Sequence, residues 1–274
     1  MGDRLRTIAI ANQKGGVGKT VTVQNLAVAL ALLDQRVLVV DVDPQANLSL
    51  NSGIDLHSQK LSTFDVLVNN RGIAEVIRLS DQGYDIAPSK PILARAEGEM
   101  KGKPGWVRRL RTALAPIDAH YDYCLIDTPP TIVFLAVNAL VASNAGVIIP
   151  FLPAPNAIAG MQLVMARMDE LRPENDTLRV VACVPNRLER WRVEWKLLEQ
   201  VKREYPALPF TEPIPKHADF VKAELYRVSV FDLAPRGAVA KAFLGLAQRL
   251  IGAEDRVAEI VGRKQDFEKV ASWT

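Results

Sequence analysis

Short apolar runs alternate with stretches of helical periodicity along almost the whole of this 274-residue chain. The first run, Thr7-Ile8-Ala9-Ile10-Ala11, precedes a helical pattern from Val23 to Leu30. It is followed by Arg36-Val37-Leu38-Val39-Val40-Asp41, a β-branched run that ends in a carboxylate. The same pattern predicts strands at Tyr84–Ala87, Tyr123–Asp127, Gly146–Pro150, Leu178–Val184 and Phe210–Ile214. Helices are expected near Thr63–Val68, Trp106–Leu114, Val133–Val141, Ala157–Leu171, Val193–Glu204, Ala218–Tyr226 and Ala238–Ile251. Continuously apolar strands between helices indicate a parallel sheet covered on both faces. The expected architecture is therefore α/β, a single domain over residues 1–274 with a mostly parallel twisted sheet and helices on both faces. Its core would span about residues 6–250, with a terminal helix over 253–274. Arg95–Pro104 (RAEGEMKGKP), rich in glycine and charge, reads as an exposed loop.

Composition narrows the classes. With 49% hydrophobic residues the chain can bury a large core. It has no apolar run of the ~18 residues a membrane span needs, and Met1–Arg6 lacks the apolar core of a signal peptide, so a cytoplasmic protein is expected. The two cysteines, Cys124 and Cys183, each sit in a strand-like run and read as buried free thiols. The net charge of +3 lies wholly in residues 187–241, which carry 11 basic against 8 acidic side chains. A nucleic-acid surface, if present, is to be sought there.

The chemistry concentrates in Asn12-Gln13-Lys14-Gly15-Gly16-Val17-Gly18-Lys19-Thr20, between the first strand and the first helix. Glycines let the backbone aim several N–H groups at one anion, and the helix N-terminus adds positive potential. Lys19 is placed to reach β- and γ-phosphates, and the Thr20 hydroxyl to ligate Mg²⁺. The strict G-x-x-x-x-G-K-[ST] pattern fails at Gln13, whereas K-G-G-x-G-K-[ST] matches completely. Ligands of parallel sheets bind beyond the strand C-termini. Asp41 and Asp127, each ending a strand, fall there with the glycine loop. Asp127, opening Asp127-Thr128-Pro129-Pro130, is suited to hold Mg²⁺ through a water.

K-G-G-x-G-K-[ST] resembles the signature of the deviant Walker A ATPases, and Asp41-Val42-Asp43-Pro44-Gln45-Ala46-Asn47 resembles the DxDPQxN segment of the ParA family of partition ATPases. The resemblance covers roughly residues 6 to 250. It implies an ATPase with ATP and Mg²⁺ as cofactors. Asp43 would direct the attacking water, Asp41 would lie near the metal shell, and Lys14 would cross a homodimer interface to the partner's nucleotide. Loop positions Gly15, Gly16, Val17, Gly18, Lys19, Thr20 and Val21 would bind phosphate, Val21 through its N–H because the family's usual second threonine is missing. Asn186 resembles the family's base-reading asparagine, and Pro215-Lys216 its Ile-Pro-Arg segment.

Partners implied by the resemblance are a second copy of the chain, a ParB-like adaptor that stimulates hydrolysis, and non-specific DNA, which makes the protein nucleoid-associated. Candidate DNA contacts are Lys216, Lys222, Arg227, Arg236 and Lys241, with Arg187, Arg190 and Arg192 as a second group. Trp191 and Trp195 are expected to pack on one helical face, and Arg108, Arg109 and Arg111 to form a solvated one. The chain starts at its first strand, which suggests the shorter Soj-like forms without an N-terminal helix-turn-helix. Two alternatives are less well matched. A MinD-like membrane-cycling ATPase conflicts with the acidic tail residues Asp255, Glu259, Asp266 and Glu268, so no stable membrane association is expected. An iron–sulfur reductase needs exposed cysteines that this chain does not offer. A ParA-like protein that positions a protein cargo remains a variant of the main reading.

Overall fold

In the computed structural model, residues 5–131, 133–154, 157–189 and 192–252 are described. Seven strands form one sheet: β1 Arg6–Ile10, β2 Val37–Asp41, β3 Arg78–Leu79, β4 Asp85–Ala87, β5 Tyr123–Asp127, β6 Gly146–Phe151 and β7 Val180–Pro185. Their spatial order is β3-β4-β2-β5-β1-β6-β7, and every pairing is parallel except β3 with β4. The sheet is the doubly covered kind that the apolar runs predict.

Alternate residues of each strand feed opposite cores. Leu38, Val40, Cys124 and Ile126 pack on one face beneath helices that include Thr63–Leu67, Arg109–Leu114, Phe134–Ala142 and Ala157–Glu170. Val37, Val39, Tyr123 and Leu125 pack on the other, under Lys19–Leu32 and Ala238–Ile251. Both faces of the central strands are dry, which is why their sequences lack polar alternation.

Three expectations need correction. Phe210–Ile214 forms no strand; it meets β7 through an isolated bridge at Cys183–Phe210 and a bond from Ile214 N–H to Pro185 O, with a second bridge, Leu188–Pro215, beyond both segments. Pro209, Pro213 and Pro215 offer no N–H, so a continuous ladder cannot form there. The expected loop Arg95–Pro104 contains a helix, Ala96–Met100, because Ala96 and Met100 stand one turn apart and are both buried. Trp195, in helix Arg192–Glu204, is 44% exposed rather than packed, and Trp191 lies outside the described residues, as does the expected terminal helix 253–274. Cys124 and Cys183 are both buried free thiols. Among the described residues no helix is long and apolar enough to cross a membrane.

Candidate functional site: a glycine loop over two buried carboxylates

The register of the sheet assembles the site. Ile10, at the end of β1, lies beside Asp127, and Asp127 lies beside Asp41. The glycine loop leaves β1 directly above this pair. Gly16 and Gly18 have φ of +72° and +90°, a left-handed region that a side chain strains to enter. A Cβ at Gly18 would also sit 2.1 Å from Asn186 Nδ2. Gly15 and Gly16 face open space.

Asn12 fixes the loop's entry. Its Nδ2 donates to Pro150 O at 2.8 Å, and its Oδ1 accepts Lys14 N–H at 2.9 Å. Asn186 fixes the far side: its Nδ2 donates to Val17 O at 3.0 Å, and its Oδ1 accepts Arg187 N–H at 2.9 Å. Asn186 is 2% exposed and lines the cleft, and these two bonds make it a buttress for the loop while leaving one Nδ2 hydrogen and one Oδ1 lone pair without a partner among the described residues. Sequence inspection shows Asn12 at the head of the motif but not this pinning, which depends on β6, more than a hundred residues away.

Lys19 is buried, and its Nζ donates to Lys14 O at 3.4 Å. Burial holds its pKa below the usual lysine range, with Asp127 and Asp43 opposing that shift. The Thr20 hydroxyl donates to Asp127 Oδ2 at 2.8 Å. Asp127 Oδ1 is buried and has no hydrogen-bond partner. Desolvation, then the Asp41 charge, pushes the Asp127 carboxyl well above the usual range. An orphaned carboxylate oxygen beside a threonine hydroxyl is a donor set suited to a hard cation or its water.

Asp41 is wholly buried, and its oxygens are taken up by the protein. Oδ2 accepts from Ser49 N–H (3.0 Å) and the Ser49 hydroxyl (2.7 Å), while Oδ1 accepts from Asp43 N–H (3.0 Å). Burial raises its pKa to about 6 against these bonds. Through these bonds Asp41 organises the turn that carries Asp43. Asp43 Oδ1 accepts Gln45 N–H, and its carbonyl is held by Ala46 N–H and the Ser89 hydroxyl. Ser49 and Ser89 carry no motif, so the sequence gives no sign of this scaffold.

A cleft of about 1190 Å³ opens above these groups. Gly15, Gly16, Gly18, Lys19, Thr20, Val21, Asp43, Asn186, Pro215 and Lys216 all line it, together with Gln45, Asn47 and Pro130. Val17 does not, because its side chain is buried in the core. Lys14 is exposed and outside the cleft wall.

The basic candidates fall on several elements. Lys222, Arg227, Arg236 and Lys241 are exposed, on or beside helices Ala218–Tyr226 and Ala238–Ile251. Lys216 is ion-paired with Glu189. Arg187 is exposed with φ +54°, and Arg190 and the Arg192 side chain lie outside the described residues. Arg108 pairs with Glu174 at 2.7 Å, and Arg111 donates to the Glu174 carbonyl.

A family model described as an AAA domain matches residues 5–180. The chain is 33% identical to the chromosome partitioning protein ParA of Caulobacter vibrioides over 263 residues, 93% of this chain and 97% of that one. The chain belongs to the ParA/Soj family of partition ATPases. It is also 31% identical to the sporulation initiation inhibitor protein Soj of Bacillus subtilis, over 89% of this chain and 98% of that one. Among solved structures, the cobyrinic acid a,c-diamide synthase of Mycobacterium smegmatis with bound ADP and magnesium superposes with a TM-score of 0.80 at 29% identity, covering 90% and 94% of the two chains. The Pyrococcus furiosus cell division ATPase MinD shares the fold, with a TM-score of 0.76 at 24% identity over 92% and 99%. As a ParA/Soj protein, the chain is a P-loop partition or positioning ATPase.

Proposed function

We propose that this protein hydrolyses ATP with Mg²⁺ to switch between a DNA-binding homodimer and a released form, and that a ParB-like adaptor on the cargo stimulates the release. The observation that carries the reading is the Thr20–Asp127 pair, with its unpartnered carboxylate oxygen, at the base of the loop from Lys14 to Thr20. Backbone N–H groups of Gly15, Gly16, Gly18, Lys19, Thr20 and Val21 cradle the phosphates. Thr20 and Asp127 are the residues that would hold magnesium, Asp127 through water. When bound, the ion neutralises charge on the β- and γ-phosphate oxygens.

Lys19 places a cation against the same oxygens, and its low-dielectric setting strengthens that contact. Asp43, on the cleft wall and aimed by Asp41, Ser89 and Ala46, orients the attacking water. Lys14 stands exposed outside its own cleft, which suits a charge delivered to a partner's γ-phosphate in the manner of an arginine finger. Triphosphate then becomes part of the dimer interface, and hydrolysis removes the contact that holds it. Pro215 and Lys216 line the cleft, and in this reading they lie against the base. The exposed bases Lys222, Arg227, Arg236 and Lys241 supply phosphate neutralisation without sequence preference.

The test is gel retardation of arbitrary duplex DNA with ATP, ADP and no nucleotide. Binding that is strong with ATP and weak otherwise supports the switch; equal binding in all three refutes it.

A further inference from the structure

A second cavity, of about 580 Å³, opens at the opposite edge of the sheet, where β1, β5, β6 and β7 begin. Three arginines line it, Arg6 from β1, Arg179 just before β7 and Arg249 from the last helical turn, and among the described residues no acidic side chain does. Among the described residues none of the three is ion-paired. Each is held through Nη1: Arg6 donates to the Tyr123 hydroxyl at 2.8 Å, Arg249 to Phe210 O at 2.9 Å and Arg179 to Thr177 O at 3.5 Å. The Arg6 guanidinium also lies 5.5 Å from the centre of the Tyr123 ring. The nearby carboxylate of Asp122 is engaged by Arg36.

This arrangement leaves Nε and Nη2 of all three arginines without a hydrogen bond to any described residue. That pair of nitrogens is the fork that grips phosphate oxygens bidentately. Three like charges around one concavity also repel one another unless an anion joins them. The floor is rigid: Tyr123 is buried and donates to Leu250 O, while Asn144 bridges the backbones of Leu5 and Thr7. We propose that this cavity is a second anion site, separate from the glycine loop, that takes a phosphate group, carried either by a small phosphate compound or by a nucleic-acid backbone.

The experiment uses the full chain with its glycine loop filled by a fluorescent Mg-ADP analogue. Pyrophosphate is titrated by calorimetry while fluorescence reports any displacement of the nucleotide. The site is supported if pyrophosphate binds once without releasing nucleotide and Arg179→Gln weakens that binding at least about tenfold. To the described residues the Arg179 side chain makes one bond, a long one, so its variant tests the site without disturbing the fold; Arg249→Gln provides a second reading. Binding only by displacement of the nucleotide, or equal affinity in wild type and both variants, overturns the proposal. Anisotropy of a labelled DNA duplex with the same variants, now in Mg-ATP, separates the sources. Parallel loss of DNA binding assigns a backbone phosphate, and unchanged DNA binding beside lost pyrophosphate assigns a small phosphate compound.

Discussion

Thr20 Oγ1 donates to Asp127 Oδ2 at 2.8 Å across 107 positions of sequence, and the other oxygen of that carboxylate is buried with no partner. The bond joins the first turn of the first helix to the end of the central strand β5. It thereby fixes which oxygen is left for a cation.

Asp127→Asn keeps the shape and removes the charge. Mg-ADP affinity is expected to fall about 10- to 100-fold, the usual cost of an outer metal partner. ADP affinity measured in EDTA is expected to stay unchanged. A loss of equal size with and without magnesium would show that Asp127 supports the loop and not the metal.

Gly18→Ala meets two obstacles at once. The position has φ +90°, and the new Cβ would lie 2.1 Å from Asn186 Nδ2. Asn186 cannot retreat easily, because its side chain is bonded to Val17 O and its own N–H to Phe151 O. The variant is expected to lose about 2 kcal/mol or more of stability, with weaker nucleotide binding. Adding Asn186→Ala relieves the collision but not the backbone strain, so only part of the melting temperature returns. A Gly18→Ala protein that melts like wild type would contradict this.

Asp41 makes stability depend on pH. Burial holds its folded pKa at about 6, above the ordinary 3.8, so over that window the folded state binds a proton that the unfolded state has released. The contribution is fully present below about pH 4 and is lost as pH rises through about 6, at most ~3 kcal/mol. Asp127 is shifted in the same direction and adds to the trend. Thermal melts of the nucleotide-free protein between pH 4.5 and 7 should fall more steeply for wild type than for Asp41→Asn. Parallel slopes would mean that Asp41 carries no proton in that range.

Much of this was legible in the chain because the central strands are buried on both faces and therefore write themselves as uninterrupted apolar runs. β3 was not, since Arg78 and Leu79 form a two-residue edge whose residues are partly or fully exposed. Phe210–Ile214 has the apolar character of a strand, but its prolines deny it the ladder. The glycine loop and Asp127 were readable because a phosphate site needs particular residues in one contiguous stretch or at a strand end, whereas Asp43 was singled out by the resemblance of its segment to the ParA family. The groups that hold them were not readable. Asn12, Ser49, Ser89 and the buttressing side of Asn186 act through contacts that only the folded sheet brings together.

The exposed Lys14 carries the central claim that nucleotide state is read as assembly. Light scattering should give the mass of a dimer for wild type with Mg-ATP and of a monomer with Mg-ADP. Lys14→Ala should remain a monomer with Mg-ATP while still binding the nucleotide. A Lys14→Ala protein that dimerises with ATP as wild type does, or a wild type whose mass is the same in both nucleotides, would contradict the account.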